Sequence, residues 1–144
     1  MATKKIFISF DWENDRHYRF LLSAWDANGD FSFSFSDQTS NEIKSYDIGR
    51  VKAALTAKIN NATGTIVIVG KYANTRHKDW LEIGYGNWLD FEIARSKQNG
   101  NHLIAVKLNS LYTAPVELIG AGAEWANSFT EEAIVAAVER AYSK

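Results

Sequence analysis

Few side chains in this chain could do chemistry. There is no cysteine, which removes thiolate nucleophiles, thiolate metal sites and any disulfide framework. His17, His77 and His102 share no spacing of the kind that metal ligands show, so no metal site is expected. Of the 17 carboxylates, two groups stand out: the run Asp11-Trp12-Glu13-Asn14-Asp15, and Glu92 at the end of Trp88-Leu89-Asp90-Phe91-Glu92. Trp88 and Glu92 stand four residues apart, so on a helix they share a face. By spacing alone Glu92 reads as a solvated carboxylate that pairs with Arg95 or favours a helix N-terminus, a contribution of about 0.3–1 kcal/mol.

The elements that must position these groups follow from apolar periodicity. Lys5 to Phe10 is short, β-branched and aromatic, and predicts a first strand. With Asn14 as N-cap, Tyr18, Leu21, Leu22 and Trp25 form one helical stripe, stopped by Asn28-Gly29. Phe31 to Phe35 alternates strictly and predicts a strand with a wetter face at a sheet edge. A polar loop follows, Ser36 to Asp47, then the helical stripe Ile48, Val51, Leu55 and Ile59. Thr65 to Val69 is apolar after its first residue, as a strand buried on both faces should be. Gly70 to Gly86 reads as a long loop or a short helix with loops. Asn87 can cap a helix over Trp88 to Lys97 that ends at Asn99-Gly100, and His102 to Leu108 is another buried strand. Ala123 to Ala126 predicts a short last strand, and Ser128-Phe129-Thr130-Glu131 has capping-box spacing for a terminal helix through about Tyr142.

Strands and helices alternating in this way predict an α/β fold. The expectation is a flavodoxin-like three-layer sandwich with a central parallel sheet of about five strands in the order 2-1-3-4-5. The 144 residues fit one domain, with no linker or internal repeat. Ligands of such sheets bind beyond the carboxyl ends of the strands, so the loops after Phe10, Phe35, Val69 and Leu108 should carry the site. The loop after the first strand lacks the glycines and hydroxyls that cradle phosphate, which removes flavin mononucleotide and P-loop chemistry. Asp11 and Glu13 would suit the acidic pair of a two-component receiver. The aspartate which that chemistry phosphorylates is missing, because Gly70-Lys71-Tyr72 stands in its place.

A more specific pattern begins with Phe7-Ile8-Ser9-Phe10, an aromatic strand ending in a serine and an aromatic residue. It continues in Trp88 and Phe91-Glu92, a tryptophan at a helix start four residues before a glutamate that follows an aromatic. In these residues and in the order of its elements, from about Lys4 to Leu108, the chain resembles a TIR-like domain. Thr65 to Gly70 and Leu103 to Leu108 make it most similar to the short bacterial ones used in Thoeris antiphage defence. It departs from the family at Leu89, where many TIR domains have a cysteine, and in the length of the 70–86 connection.

The resemblance implies NAD as substrate, with no further cofactor, and Glu92 as the catalytic carboxylate. Cleaving the nicotinamide riboside bond expels a neutral leaving group from a cationic ring, so one carboxylate suffices. It would hold the ribose hydroxyls and stabilise an oxocarbenium-like transition state. Ser9, Phe10, Asp11, Trp12, Ser36, Asp37 and Trp88 are the expected substrate-binding residues. Phe10 or Trp12 would stack on a base, Ser9 would hydrogen-bond nearby and Trp88 would exclude water. The product would be a cyclic or conjugated ADP-ribose signal read by a separate effector, with a phage component as trigger and self-association as a further expectation. Trp80 and Tyr85 would form a lid or a contact surface, or simply anchor the loop.

The formal net charge of −1 includes no basic stripe, so nucleic acid is not an expected partner. No signal-like start or membrane-length apolar run is present, which predicts a soluble cytoplasmic protein. Two other readings share the fold: a non-catalytic TIR-like module acting through protein contacts, and a nucleoside deoxyribosyltransferase-like enzyme.

Overall fold

The structure is a computed structural model that describes residues 4–27, 33–35 and 47–144, of which 12, 13, 23, 25–27 and 33–35 are described by backbone alone. Strand β1 is Lys4–Ser9 and helix α1 Trp12–Ala27, followed by β2 at Phe33–Phe35, α2 at Ile48–Asn60 and β3 at Gly64–Val69. The short helix α3 covers Trp80–Ile83, and α4 covers Trp88–Gln98. Then come β4 at His102–Lys107, a 3-10 turn at Val116–Leu118, β5 at Glu124–Ala126 and α5 at Glu131–Tyr142.

The strands form one parallel sheet in the order β2-β1-β3-β4-β5, the order expected from the sequence. β3 lies at the centre and is buried along its whole length, which is why its sequence is apolar without alternation. Register places Ser9 opposite Val67 and Val67 opposite Ala105, so side chains of these three residues face the same layer.

Each face of the sheet carries its own core. Ile6, Ile8, Phe10, Ile66, Ile68, Ile104 and Val106 pack on one side with Leu22 of α1 and Ile134, Ala137 and Val138 of α5. On the other side Phe7 meets Val51, Leu55 and Ile59 of α2 with Phe91, while Val67, Val69 and Ala105 meet Leu89 and Ile93 of α4. The α2 stripe is therefore as expected, with Asp47 as its N-cap.

Three local expectations change. Helix α1 begins at Trp12, not after Asn14, because Asp11 accepts the Asp15 N–H at 2.7 Å and the Asn14 amide at 2.6 Å. Leu21 of its expected apolar stripe is 43% exposed, whereas Leu22 is fully buried. Helix α5 is capped by Thr130, whose hydroxyl accepts the Ala133 N–H at 3.2 Å, rather than by Ser128. The expected stop at Asn28-Gly29 and the polar loop before Asp47 lie outside the described residues.

Candidate functional site

Helix α4 begins where its sequence says it should. The Asn87 side chain accepts the Asp90 N–H at 2.9 Å, and its amide donates to the carbonyls of Ala73 and Thr75 at 2.9 and 3.0 Å. One residue thus caps the helix and ties the preceding loop to it. That loop contains α3, whose Ile83 is fully buried, and Tyr85, which stands edge-on to Phe91 at 6.0 Å. Trp80 remains 37% exposed beneath the Arg76 guanidinium, 4.5 Å from its ring centre.

From this fixed start α4 runs over the sheet and buries Leu89, Asp90, Phe91, Glu92, Ile93, Ala94 and Ser96. Glu92 is 3% exposed. Its Oε1 accepts the Ser9 hydroxyl proton at 2.7 Å, a contact between residues 83 positions apart in sequence. Ser9 is the last residue of β1 and completely buried, so the pair sits at the carboxyl end of a strand next to the sheet centre. Behind it Ser96 donates to the Glu92 carbonyl at 2.8 Å. Burial pushes the Glu92 carboxyl up to about 8, and the Ser9 hydrogen bond draws it only partly back. The expectation of a solvated Glu92 paired with Arg95 is overturned, because the Arg95 guanidinium instead donates to Gln98 at 2.6 Å and lies over the Phe91 ring.

The remaining site residues divide. Trp88 is half-buried at the first position of α4, edge-on to Phe91 at 5.5 Å and to His77 at 6.3 Å, and packs with the α2 core. Phe10 faces the opposite layer from Ser9 and is 7% exposed among Leu22 and Ile68, so it is a core residue on the α1 side. Asp11 precedes α1 at the end of β1 and holds its first turn. Trp12 opens α1, but its side chain is outside the described set, as are Ser36 and Asp37 altogether.

Two carboxylates that sequence spacing did not single out are also buried. Asp15, in the first turn of α1, is 6% exposed, and its Oδ2 has no hydrogen-bond partner. Burial, reinforced by the nearby Asp11 charge and opposed by His17, pushes its carboxyl up to about 6. Its head rests on Gly70 at the end of β3, where a Cβ on residue 70 would collide with Asp15 Oδ2. Asp90 is 6% exposed with Oδ1 unpartnered, and burial raises it against the lowering effect of the Glu117 backbone N–H. The available signal was the four-residue step from Asp11 to Asp15, which places Asp15 one turn into α1 and over the strand ends.

Among the described residues no group of three or more histidines and carboxylates could hold a metal ion. None of the described helices is long and apolar enough to cross a membrane.

A family model described as "Thoeris protein ThsB, TIR-like domain" matches residues 7–113. No curated protein matches. Among solved structures, a prokaryotic SEFIR domain is 16% identical, with a TM-score of 0.56 over 96% of this chain and 89% of that one, a likeness of fold. The TIR domains of the activated Roq1 resistosome that directly recognises the pathogen effector XopQ are also 16% identical, with a TM-score of 0.47 over 73% of this chain. This chain spans 57% of the length of that one.

Proposed function

Because the chain belongs to the TIR-like domain family of the Thoeris protein ThsB, we propose that it is an NAD-cleaving enzyme of antiphage defence. It releases nicotinamide and makes a cyclic or conjugated ADP-ribose signal for a separate effector. The observation that carries this reading is Glu92, a buried carboxyl held by Ser9 at the carboxyl end of the sheet.

The chemistry follows from charge. In the resting protein the Glu92 carboxyl, pushed up to about 8, is mostly protonated at neutral pH. A pyridinium ring brought beside it favours the ionised form and lowers its pKa again, so the carboxyl proton passes to solvent as NAD binds. The carboxylate then accepts hydrogen bonds from the ribose hydroxyls and stabilises positive charge at C1′ as the C1′–N1 bond breaks. The bonding electron pair leaves with the nicotinamide nitrogen, which becomes neutral. Water, or a nucleophilic atom of the nucleotide itself, adds to C1′, and its proton goes to solvent. Ser9 acts on this reaction through Glu92, whereas Phe10, packed in the opposite layer, supports the end of β1.

The test is mass spectrometry of small molecules after incubation of the chain with NAD, and after its expression in phage-infected cells. Release of nicotinamide that vanishes in Glu92→Gln supports the assignment, and unchanged release in that variant refutes it.

A second reading is favoured by a separate observation. Leu81, Leu111, Val116 and Ile119 are 76%, 87%, 65% and 71% exposed, which suits a module that works through protein contacts or self-association. A Glu92→Gln variant that still protects cells against phage would select it.

A further inference from the structure

A buried carboxylate without a hydrogen-bond partner is costly and calls for an explanation. Asp15 is such a group: it is 6% exposed, and its Oδ2 meets no donor. Its surroundings do not compensate the charge either. Asp11, one helical turn earlier, repels it, and His17 is the attractive group acting on it. Lys71, the residue after Gly70, lies over the Tyr72 ring at 5.5 Å.

The position is specific. Asp15 reaches from α1 to the carboxyl end of the central strand β3, into space that exists because residue 70 is a glycine. Glu92 arrives at the end of the adjacent strand β1 from the opposite layer. The two buried carboxyl groups therefore flank the carboxyl ends of β1 and β3, where ligands of parallel α/β sheets bind.

We infer that Asp15 is a ligand-binding residue of this site, whose unpartnered oxygen accepts hydrogen bonds from the carboxamide of the cationic nicotinamide ring of NAD. The inference rests on the NAD reading of Glu92 and adds the orientation of the substrate. Asp11 and Asp15 repel a diphosphate, which excludes that part of the nucleotide from this end. The nicotinamide is complementary, because its ring is positive and its carboxamide carries N–H donors. Partnering Asp15 on binding recovers the energy that its burial costs the free protein.

The experiment measures dissociation constants for NAD and for ADP-ribose, which lacks the nicotinamide, by titration calorimetry. The proteins are the full chain carrying Glu92→Gln, to prevent turnover, and the same chain with Asp15→Asn added. Thermal midpoints of both are recorded at neutral pH. The expected result is NAD binding weakened about tenfold by Asp15→Asn, ADP-ribose binding within about twofold, and a thermal midpoint that does not fall. Unchanged NAD affinity overturns the inference and leaves the Glu92 reading standing. Equal weakening of both ligands, a lowered midpoint or failure to fold makes Asp15 structural and also overturns it. Absence of NAD binding by the unmodified chain, titrated alongside, overturns both readings.

Discussion

Glu92 combines burial with a single neutral side-chain donor, and both properties have measurable consequences. Glu92→Gln keeps shape and hydrogen-bonding capacity, so stability at neutral pH stays within about 1 kcal/mol while NAD turnover falls by at least about a hundredfold. The pH dependence has a definite sign. The folded carboxyl at about 8 lies above its ordinary 4.5, so the native state binds the proton more tightly than the unfolded chain does. Its stabilisation is complete below about 4.5 and is lost as pH rises through about 8. Thermal midpoints of the unmodified chain minus those of Glu92→Gln should therefore decline across that range, and a constant difference would contradict the burial. Ser9→Ala removes the hydrogen bond that lowers the Glu92 pKa, so the ascending limb of kcat/KM against pH should move to higher pH. A limb that stays in place would mean that Ser9 does not set the protonation of Glu92.

One side chain, Asn87, both caps α4 and holds the preceding loop by the carbonyls of Ala73 and Thr75. Asn87→Ala should cost about 1–2 kcal/mol in denaturant unfolding and raise hydrogen exchange in both segments together. A loss confined to the helix would show that the loop is held elsewhere. Asn87 was legible in the sequence, as were the α2 stripe and the strand order, because capping and apolar period are local properties. The α3 turn within 70–86 was less so: four residues make barely one helical period, too few for a repeating stripe, and burial of Ile83 is decided by its neighbours in space. Of the two aromatics expected to gate the site, Tyr85 packs on Phe91, whereas Trp80 stays at the surface. Replacing both with Ala should lower signalling in phage-infected cells without unfolding the domain if the loop closes the site. Signalling equal to that of the unmodified chain, with Glu92→Gln as the zero reference, would remove the gating role and leave the catalytic one.

In the whole molecule the contrast between fold and site is sharper. The sequence pattern pointed to Glu92 and Ser9 but not to their contact, because the chain has to bring residues 83 positions apart together before that contact exists. Phe10 was misplaced for the converse reason: alternation along β1 sends it to the layer opposite Ser9, although the two are neighbours in the chain. Asp15 escaped notice because its partner in space is a glycine, which offers no side chain to suggest a pairing. That last contact makes positions 15 and 70 epistatic. In a library varying both, the cost of a side chain at residue 70 should depend on residue 15. Alanine at 70 would fit beside serine or glycine at 15, whereas beside aspartate it would displace that carboxyl group from the end of β3.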